Sequence, residues 1–449
     1  MKLKPYPKYI DSGIQWIGKI PEGWEVRKLK FISRLFGRIG FRGYTVSDLV
    51  EEGKGALAIG GKHISKNQKL DLSSPEYLSW EKYKESPEIM IEQGNILITQ
   101  RGTLGKVVLI DKDIGPATIN PSMILIKEIK LLSEYLYYFL VSDFSIQEVA
   151  LINSQTAVPM ISQEQADNFH IIFPRNEQIQ TAITSFLDKQ NAKIDVLIEK
   201  DKKLIALLKE KRTTLINHAV TKGLDPNVKL KDSDIPWIGE IPERWEIHRQ
   251  KFLVSKINSG ITPKGGAEVY EEDGIPLLRS QNIHFDGLKL EDVAFIPEKI
   301  HKTMLNCVVK KHDVLINITG ASIGRCSHVE DEFEKANVNQ HVCIIRPKNV
   351  YYKFLSYFLS SRLGQDQVFS IQMGSSKEGL NFEQLGNFII LVPLKQEQQK
   401  IANFLDKATS KIDKTIKKIE EKIKLLEEYK KSLIHHVVTG KVDVRKSEV

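Results

Sequence analysis

The sequence predicts an α+β chain built as a tandem duplication: two strand-rich α/β domains, separated by two long helices that pair as an antiparallel coiled coil. Three observations carry this reading. The segment Asp11–Val26 (DSGIQWIGKIPEGWEV) recurs 221 residues later as Asp232–Ile247 (DSDIPWIGEIPERWEI). Three further matches follow in the same order: Ile96–Lys106 with Leu315–Arg325, Asn168–Pro174 with Asn387–Pro393, and Leu207–Thr221 with Leu425–Thr439. Ordered self-similarity with an almost constant offset is the mark of a repeated structural unit. Finally, each copy changes texture once, from short apolar runs broken by Gly, Pro and Asn to a long stretch almost free of Gly and Pro.

In the first part of each copy, β-branched and apolar runs such as Asn95–Thr99, Lys106–Ile110 and His341–Ile345 are punctuated by turn residues, which is the pattern of strands. Short helices are expected near Tyr135–Val141 and at its counterpart Phe354–Ser360.

In the second part, Ile194, Ile198, Ile205, Leu208 and Leu215 follow a four-three spacing, interrupted by Asp201 and Arg212. The second copy repeats it with Ile416, Ile419, Ile423, Leu426 and Leu433 after Ile412, interrupted by Lys430. Such spacing lays one apolar seam along a helix. The alternative is that each stripe covers only its own globule. A helix over Asn176–Val220 would be about 65 Å long at 1.5 Å per residue, too long for one small domain to cover. The two helices are therefore expected to pair and to hold the two globules at a fixed separation.

The resulting divisions are an N-terminal linker (1–17), a first recognition domain (18–173), a central helical spacer (174–222) and a linker (223–238), followed by a second recognition domain (239–392), a C-terminal helical spacer (393–440) and a tail (441–449). The stretch before Trp16 looks like the linker before Trp237, as expected if a circle of domains is cut at a linker.

A chain of 449 residues exceeds one hydrophobic core. Its 41% hydrophobic and 27% charged residues exclude disordered and fibrous classes. The net charge of +8 is compatible with a polyanionic partner without demanding one. Cys307, Cys326 and Cys343 have neither CxxC spacing nor a disulfide pattern, and read as buried thiols in a reducing compartment. No signal-peptide run and no stretch of about 18 apolar residues is visible, so a cytoplasmic protein with no membrane partner is expected.

Catalytic signatures are poor. Asn120-Pro-Ser-Met falls short of the N-P-P-aromatic loop of amino-methyltransferases, and Gly102-Thr-Leu-Gly-Lys106 lacks the Walker spacing and the Ser or Thr after its lysine. Glu52-Gly-Lys54 has no lysine in its counterpart at Glu272-Asp273. His435 and His436, with His218 aligned to the latter, read as helix-end histidines favouring the dipole rather than as metal ligands. Trp16, Trp24, Trp237 and Trp245 read as domain-edge packing rather than base stacking. No catalytic residue, cofactor or metal is expected.

Polar loops are the better candidates, because base edges are read by Arg, Lys, Asn and Gln, and phosphates by Lys, Arg and backbone N–H. In the second copy these are Lys264, Arg279, Ser280, Gln281, Asn282 and Arg325. In the first they are Lys62, His63, Lys66, Asn67, Gln68, Arg101 and Lys106. Any of these can instead hydrogen-bond its own loop backbone, as Asn282 and Asn339 are placed to do.

The repeated openings DSGIQWIGKIPEGW and DSDIPWIGEIPERW, with Ile275–Ile283, Val314–Arg325, Val338–Pro347 and Ile401–Asp413, resemble the specificity subunit of type I restriction-modification systems over nearly the whole chain. The first copy departs from the pattern, with TQRGTLGK against ITGASIGR and INPSMILI against VNQHVCII. The resemblance implies a non-catalytic DNA-reading subunit whose two domains each read half of a bipartite, asymmetric double-stranded target. It also implies two modification subunits docked on the helices and restriction subunits recruited to the complex, with methyl transfer and cleavage on those partners. The competing expectation is a stand-alone or fused DNA methyltransferase or nuclease with a diverged active site.

Overall fold

A computed structural model describes residues 4–38, 43–65, 67–153, 160–372 and 379–445. The chain divides into two compact units, one of residues 1–200 and 422–449 and the other of residues 201–421. Each contains one strand-rich head, half of each long helix, and a linker.

In the first unit, Arg34–Gly37, Met123–Lys127, Ile96–Thr99 and Val107–Leu109 form an antiparallel sheet in that order. Isoleucine, leucine and valine fill it because both faces are covered: Ile96, Leu97, Ile124, Leu125 and Ile126 are all fully buried. The second unit repeats it with Val254–Ser259, Val342–Pro347, Val314–Asn317 and Cys326–His328.

A second sheet in each head contains a parallel pair, Gly55–Ile59 with Ala117–Ile119 in the first and Ile275–Leu278 with Ala336–Val338 in the second. Here the copies diverge at the edge. The first head adds Leu49–Val50 beside Tyr77–Ser79, whereas the second adds Val308–Val309 on the far side of Ala336–Val338. The helices Ser133–Leu140 and Tyr352–Ser360 lie close to the two expected positions and bury Tyr135, Phe139, Phe354 and Phe358.

The long helices run over Glu177–Lys222 and Lys395–Val438, and Pro174 and Pro393 precede them where a helix could not begin earlier without losing a hydrogen bond. At 1.5 Å per residue the first, with 46 residues, is about 70 Å long. The helices pair and, against the expectation from their length, their ends also pack on the heads. Ile183, Phe186 and Leu187 join the core of the first head together with Leu433, Ile434, Val437 and Val438 of the other helix. Ile216, Ala219 and Val220 join the core of the second head with Ile401 and Leu405. Between these anchored ends the seam residues Ile194, Ile198, Ile412, Ile416 and Ile419 are buried.

Two of the residues that interrupt the seam, Arg212 and Lys430, mark its register. Within the second unit Arg212 Nε donates to Asp413 Oδ1 at 3.1 Å, and within the first Lys430 Nζ donates to Asp195 Oδ1 at 2.6 Å. Arg212 and Lys430 are equivalent by the duplication, and so are Asp195 and Asp413, so one contact is made twice between helices running antiparallel. Polar pairs in an apolar seam specify register at some cost in stability.

Each head hangs on its helices through a repeated anchor. Tyr138 donates to Asp188, and Tyr357 donates to Asp406 at 2.8 Å. Trp24 and Trp245 are buried at the domain edge, the latter donating from Nε1 to Glu397 at 3.1 Å, while the half-exposed Trp16 stacks on Phe144.

Lys4 bridges Asp443, and Tyr9 Oη donates to the Gly440 carbonyl at 3.1 Å. The segments around Lys4–Tyr9 and Gly440–Asp443 thus meet in the first unit, where the second unit has the continuous stretch from Gly223 to Asp232. The cysteines are free and buried, and burial raises the thiols of all three.

His435 departs from the dipole expectation. Burial, then Lys441 and His436, lower its pKa to about 4, and Lys441 Nζ already donates to its Nε2 at 2.9 Å. A second ring proton would set two cations side by side, so the imidazole is neutral at pH 7 and adds no charge to the helix end. Its folded value lies below the unfolded one of about 6.5, so the unfolded chain binds more protons between them and stability falls as pH drops through this window. The thermal midpoint is expected to fall between pH 7 and pH 5, with a shallower slope in His435→Gln; equal slopes would contradict this.

Candidate nucleic-acid interface

In the second head, the antiparallel register brings three loop starts to one end of the main sheet. Ser259 pairs with Cys343 and Asn317 with Val342, so the loops leaving Ser259 and Asn317 meet the loop entering Val342. Gly260 is required there, since a Cβ would lie 1.7 Å from the Val338 carbonyl oxygen. The loop after Leu278 joins them, with Asn339 N donating to the Leu278 carbonyl and the buried Asn317 side chain donating to the Ser280 carbonyl at 2.9 Å. Arg279, Ser280, Gln281, Asn282 and Arg325 therefore belong to one cluster, edged by Lys264 in the Ser259–Gly265 loop.

Their roles differ. Asn282 is buried, accepting from Arg279 N at 2.9 Å and donating to the Lys289 carbonyl at 2.8 Å, so its side chain is spent on the loop. Arg279 lies over the Tyr270 ring and donates from Nη2 to the Asp292 carbonyl, and the exposed Gln281 reaches the same carbonyl at 3.4 Å. Ser280 contributes its carbonyl. Lys264 is exposed and Arg325 half-buried, and among the described residues neither side chain makes a hydrogen bond or ion pair.

The first head builds the same end. Gln100–Lys106 follows Thr99, Asn120–Ser122 precedes Met123, and Gly60–His63 follows Ile59. Several predicted readers are turned inward here. His63 is buried, its Nδ1 accepting from Gly60 N at 3.0 Å and its Nε2 facing the Ser74 carbonyl, and burial lowers its pKa. Lys106 Nζ donates to the Gly61 and Ile64 carbonyls, and Gln68 Oε1 accepts from Val107 N at 2.7 Å. The Gly102–Lys106 segment thus spends its lysine on the neighbouring loop, not on a phosphate. Lys62 is paired with Glu76 at 2.6 Å. Asn67 and Arg101 are exposed, and Lys66 lies outside the described residues.

The same loop ends hold polar side chains that the motif reading passed over: Gln100 and Asn120 in the first head, and Thr319, Gln340 and His341 in the second. Gln100 Nε2 donates to the Pro121 carbonyl, Asn120 Oδ1 accepts from Ser122 N, and His341 contacts both Thr319 and Gln340. The signal for the last two was the VNQHVCII run itself, whose polar positions precede a buried strand. Among the described residues, no cluster of three His, Cys, Asp or Glu could hold a metal ion, and no helix is long and apolar enough to cross a membrane.

The profile of the type I restriction modification DNA specificity domain matches residues 21–207 and again 242–425. The chain belongs to this family. Its two matched segments fall on the two heads and the helix that follows each, and the family's role is recognition of a DNA target.

The specificity subunit of the type I restriction enzyme MjaVIII from Methanocaldococcus jannaschii is 25% identical over 371 residues, covering 80% of this chain and 81% of that protein. The MjaIX specificity subunit of the same organism is 25% identical, covering 86% of each. The EcoKI specificity subunit of Escherichia coli is 23% identical over 45% of this chain and 44% of its own length. Among solved structures, a chain from work on assembly and conformational transition of a type I restriction-modification system aligns with a TM-score of 0.65 at 17% identity, covering 94% of this chain and 99% of that one. The HsdS subunit from Thermoanaerobacter tengcongensis aligns at 0.51 and 15% identity over 94% and 98%. These two likenesses bear on the fold alone.

Proposed function

We propose that each head of this DNA-recognition chain reads one half of a bipartite, asymmetric double-stranded target, and that the paired helices fix the spacing of the halves. The observation that carries this is the repeated loop cluster, at the same end of the same sheet in two tandem heads, with different side chains in each. Half-sites about one helical turn apart are the common geometric solution for two linked readers. A single chain with two diverged heads has no need of a palindrome.

Base and phosphate contacts are assigned to Lys264, Arg279, Gln281 and Arg325 in the second head and to Lys62, Lys66, Asn67 and Arg101 in the first. His63, Gln68, Lys106, Ser280 and Asn282 shape those loops. The helices dock two modification subunits, which carry the methyl transfer, and restriction subunits join that complex. The chain itself is non-catalytic and needs no cofactor.

The test is methylation of target DNA with labelled S-adenosylmethionine. Transfer is expected only when the modification subunit is added; turnover by this chain alone would favour the rival reading, a fused or stand-alone methyltransferase.

A further inference from the structure

The reading loops have diverged between the copies, yet a surface patch at the other end of the same sheet has not. In the first head, Leu29 N donates to the Phe169 carbonyl at 2.8 Å, which pins the turn Leu29–Phe31 against the strand His170–Pro174. In the second, Gln250 N donates to the Phe388 carbonyl at 2.8 Å and pins Gln250–Phe252 in the same way. Each turn ends in a phenylalanine held out to solvent, Phe31 at 54% and Phe252 at 64% exposure.

Two cations flank each ring. Lys28 and Lys30 both donate to Asn168 Oδ1, at 3.2 and 3.3 Å. Arg249 and Lys251 both donate to Asn387 Oδ1, at 3.4 and 3.2 Å. Lys30 lies 5.5 Å from the centre of the Phe31 ring and Lys251 lies 5.4 Å from that of Phe252. A neutral amide oxygen thus gathers two positive charges, and among the described residues none of the four cations forms an ion pair. Asp167 lies near enough to Lys30 to feel its charge, but its place in the second head is taken by Gly386. Beside Phe31 an open hollow of about 530 Å³ is lined by Ile14, Val26, Arg27, Lys28, Phe31 and His170.

An exposed aromatic ring beside unneutralised cations is a combination suited to a protein partner that supplies an apolar socket edged with carboxylates. A phosphodiester offers no face to the ring. The loops placed to meet bases lie about 20 Å away, along the strand Val254–Ser259 at roughly 3.3 Å per residue. A ligand that differs between the heads would give no reason to keep the same solvent-facing phenylalanine and cation pair in both. A ligand common to both heads would.

We infer that Phe31 with Lys28 and Lys30, and Phe252 with Arg249 and Lys251, are two equivalent docking points for two copies of one acidic-faced protein, the modification subunit. This rests on the reading in which that subunit binds the chain, and adds contact points on the heads to those on the helices.

The test uses the full-length chain and purified modification subunit, comparing Phe31→Ser, Phe252→Ser and the double substitution by calorimetry and sedimentation, with DNA affinity of the chain alone as a control. Wild type is expected to bind two copies. Each single substitution should weaken one site by roughly tenfold, the loss typical of a contact that dominates its part of an interface, and the double should weaken both, with DNA affinity and thermal midpoint unchanged. Two copies bound by the double variant with wild-type affinity would overturn the inference. So would loss of DNA affinity without the partner, which would make the patch a DNA contact. If wild type binds no modification subunit, the docking reading itself fails and this inference fails with it.

Discussion

Replacing Lys264, Gln281 and Arg325 together by alanine is expected to abolish discrimination at one half of the target and leave the other half intact. The three side chains stand on the loops that the main sheet of the second head brings together. Of their polar ends, only the Gln281 amide has a partner, a 3.4 Å contact to the Asp292 carbonyl. Contacts to base edges are worth about 1–3 kcal/mol each. Three lost together should weaken binding to the complete site by roughly 10²- to 10⁶-fold, the lower bound applying where each is worth only about 1 kcal/mol.

Because Lys264 and Arg325 make no side-chain hydrogen bond or ion pair among the described residues and Gln281 makes only this long contact, the unfolding midpoint should move little. The measurement is fluorescence anisotropy with targets altered in one half-site at a time. Loss of discrimination confined to one half supports the assignment; equal loss at both halves, or none, contradicts it. Asn282→Ala makes the contrast, since it removes the acceptor for Arg279 N and the donor to the Lys289 carbonyl, and should lower stability as well as binding.

The largest stability effect is expected from Asp313. Its carboxylate is fully buried and takes Arg346 Nε and Nη2 at 2.7 Å each, with Lys310 N donating to Oδ2 at 2.7 Å. Removing the carboxylate leaves Lys310 N and two donors of the half-buried Arg346 without their acceptor. Asp313→Ala should therefore cost about 2–4 kcal/mol, read by urea unfolding of the full-length chain, with the loss localised to residues 201–421 by hydrogen exchange.

The first head supplies an internal comparison. Asn95 stands in the place of Asp313, and its Oδ1 accepts from Glu92 N at 2.9 Å, so the turn bond survives without the ion pair. Asp313→Asn keeps that turn bond and should recover part of the loss. A cost for Asp313→Ala under about 1 kcal/mol would contradict the account.

Much of the architecture was legible because it is repeated and because seam spacing is a local property. The duplication announced two heads, and the four-three spacing of Ile194, Ile198, Ile416 and Ile419 announced paired helices. The same periodicity marked Arg212 and Lys430 as interruptions. Their partners, Asp413 and Asp195, lie about 200 residues or more away in sequence, so only the antiparallel pairing reveals what the interruptions are for.

The reading side chains were less legible, for a related reason. Lys106 and Arg325 occupy equivalent positions in similar loops, but carbonyls of the Gly61–Ile64 turn capture Lys106, while no such acceptor takes Arg325. His63 looks like a loop-tip histidine in sequence and is a buried acceptor in the fold. Whether a polar side chain faces solvent or its own backbone depends on carbonyls delivered from another strand, which loop composition does not encode. The edge strands differ between the heads for the same kind of reason: Val308–Val309 and Leu49–Val50 are two-residue runs, too short for any periodicity to assign.

The central claim is that one chain carries two independent readers of one DNA target, and methylome sequencing tests it most directly. In a host where the modification subunit is expressed, disrupting this gene should erase a single split, asymmetric methylated motif. Exchanging residues 239–392 for the same segment of a homologue should restore a motif with one half changed and the other half and the spacing kept. An unchanged methylome after disruption, or an exchange that alters both halves at once, would contradict the account.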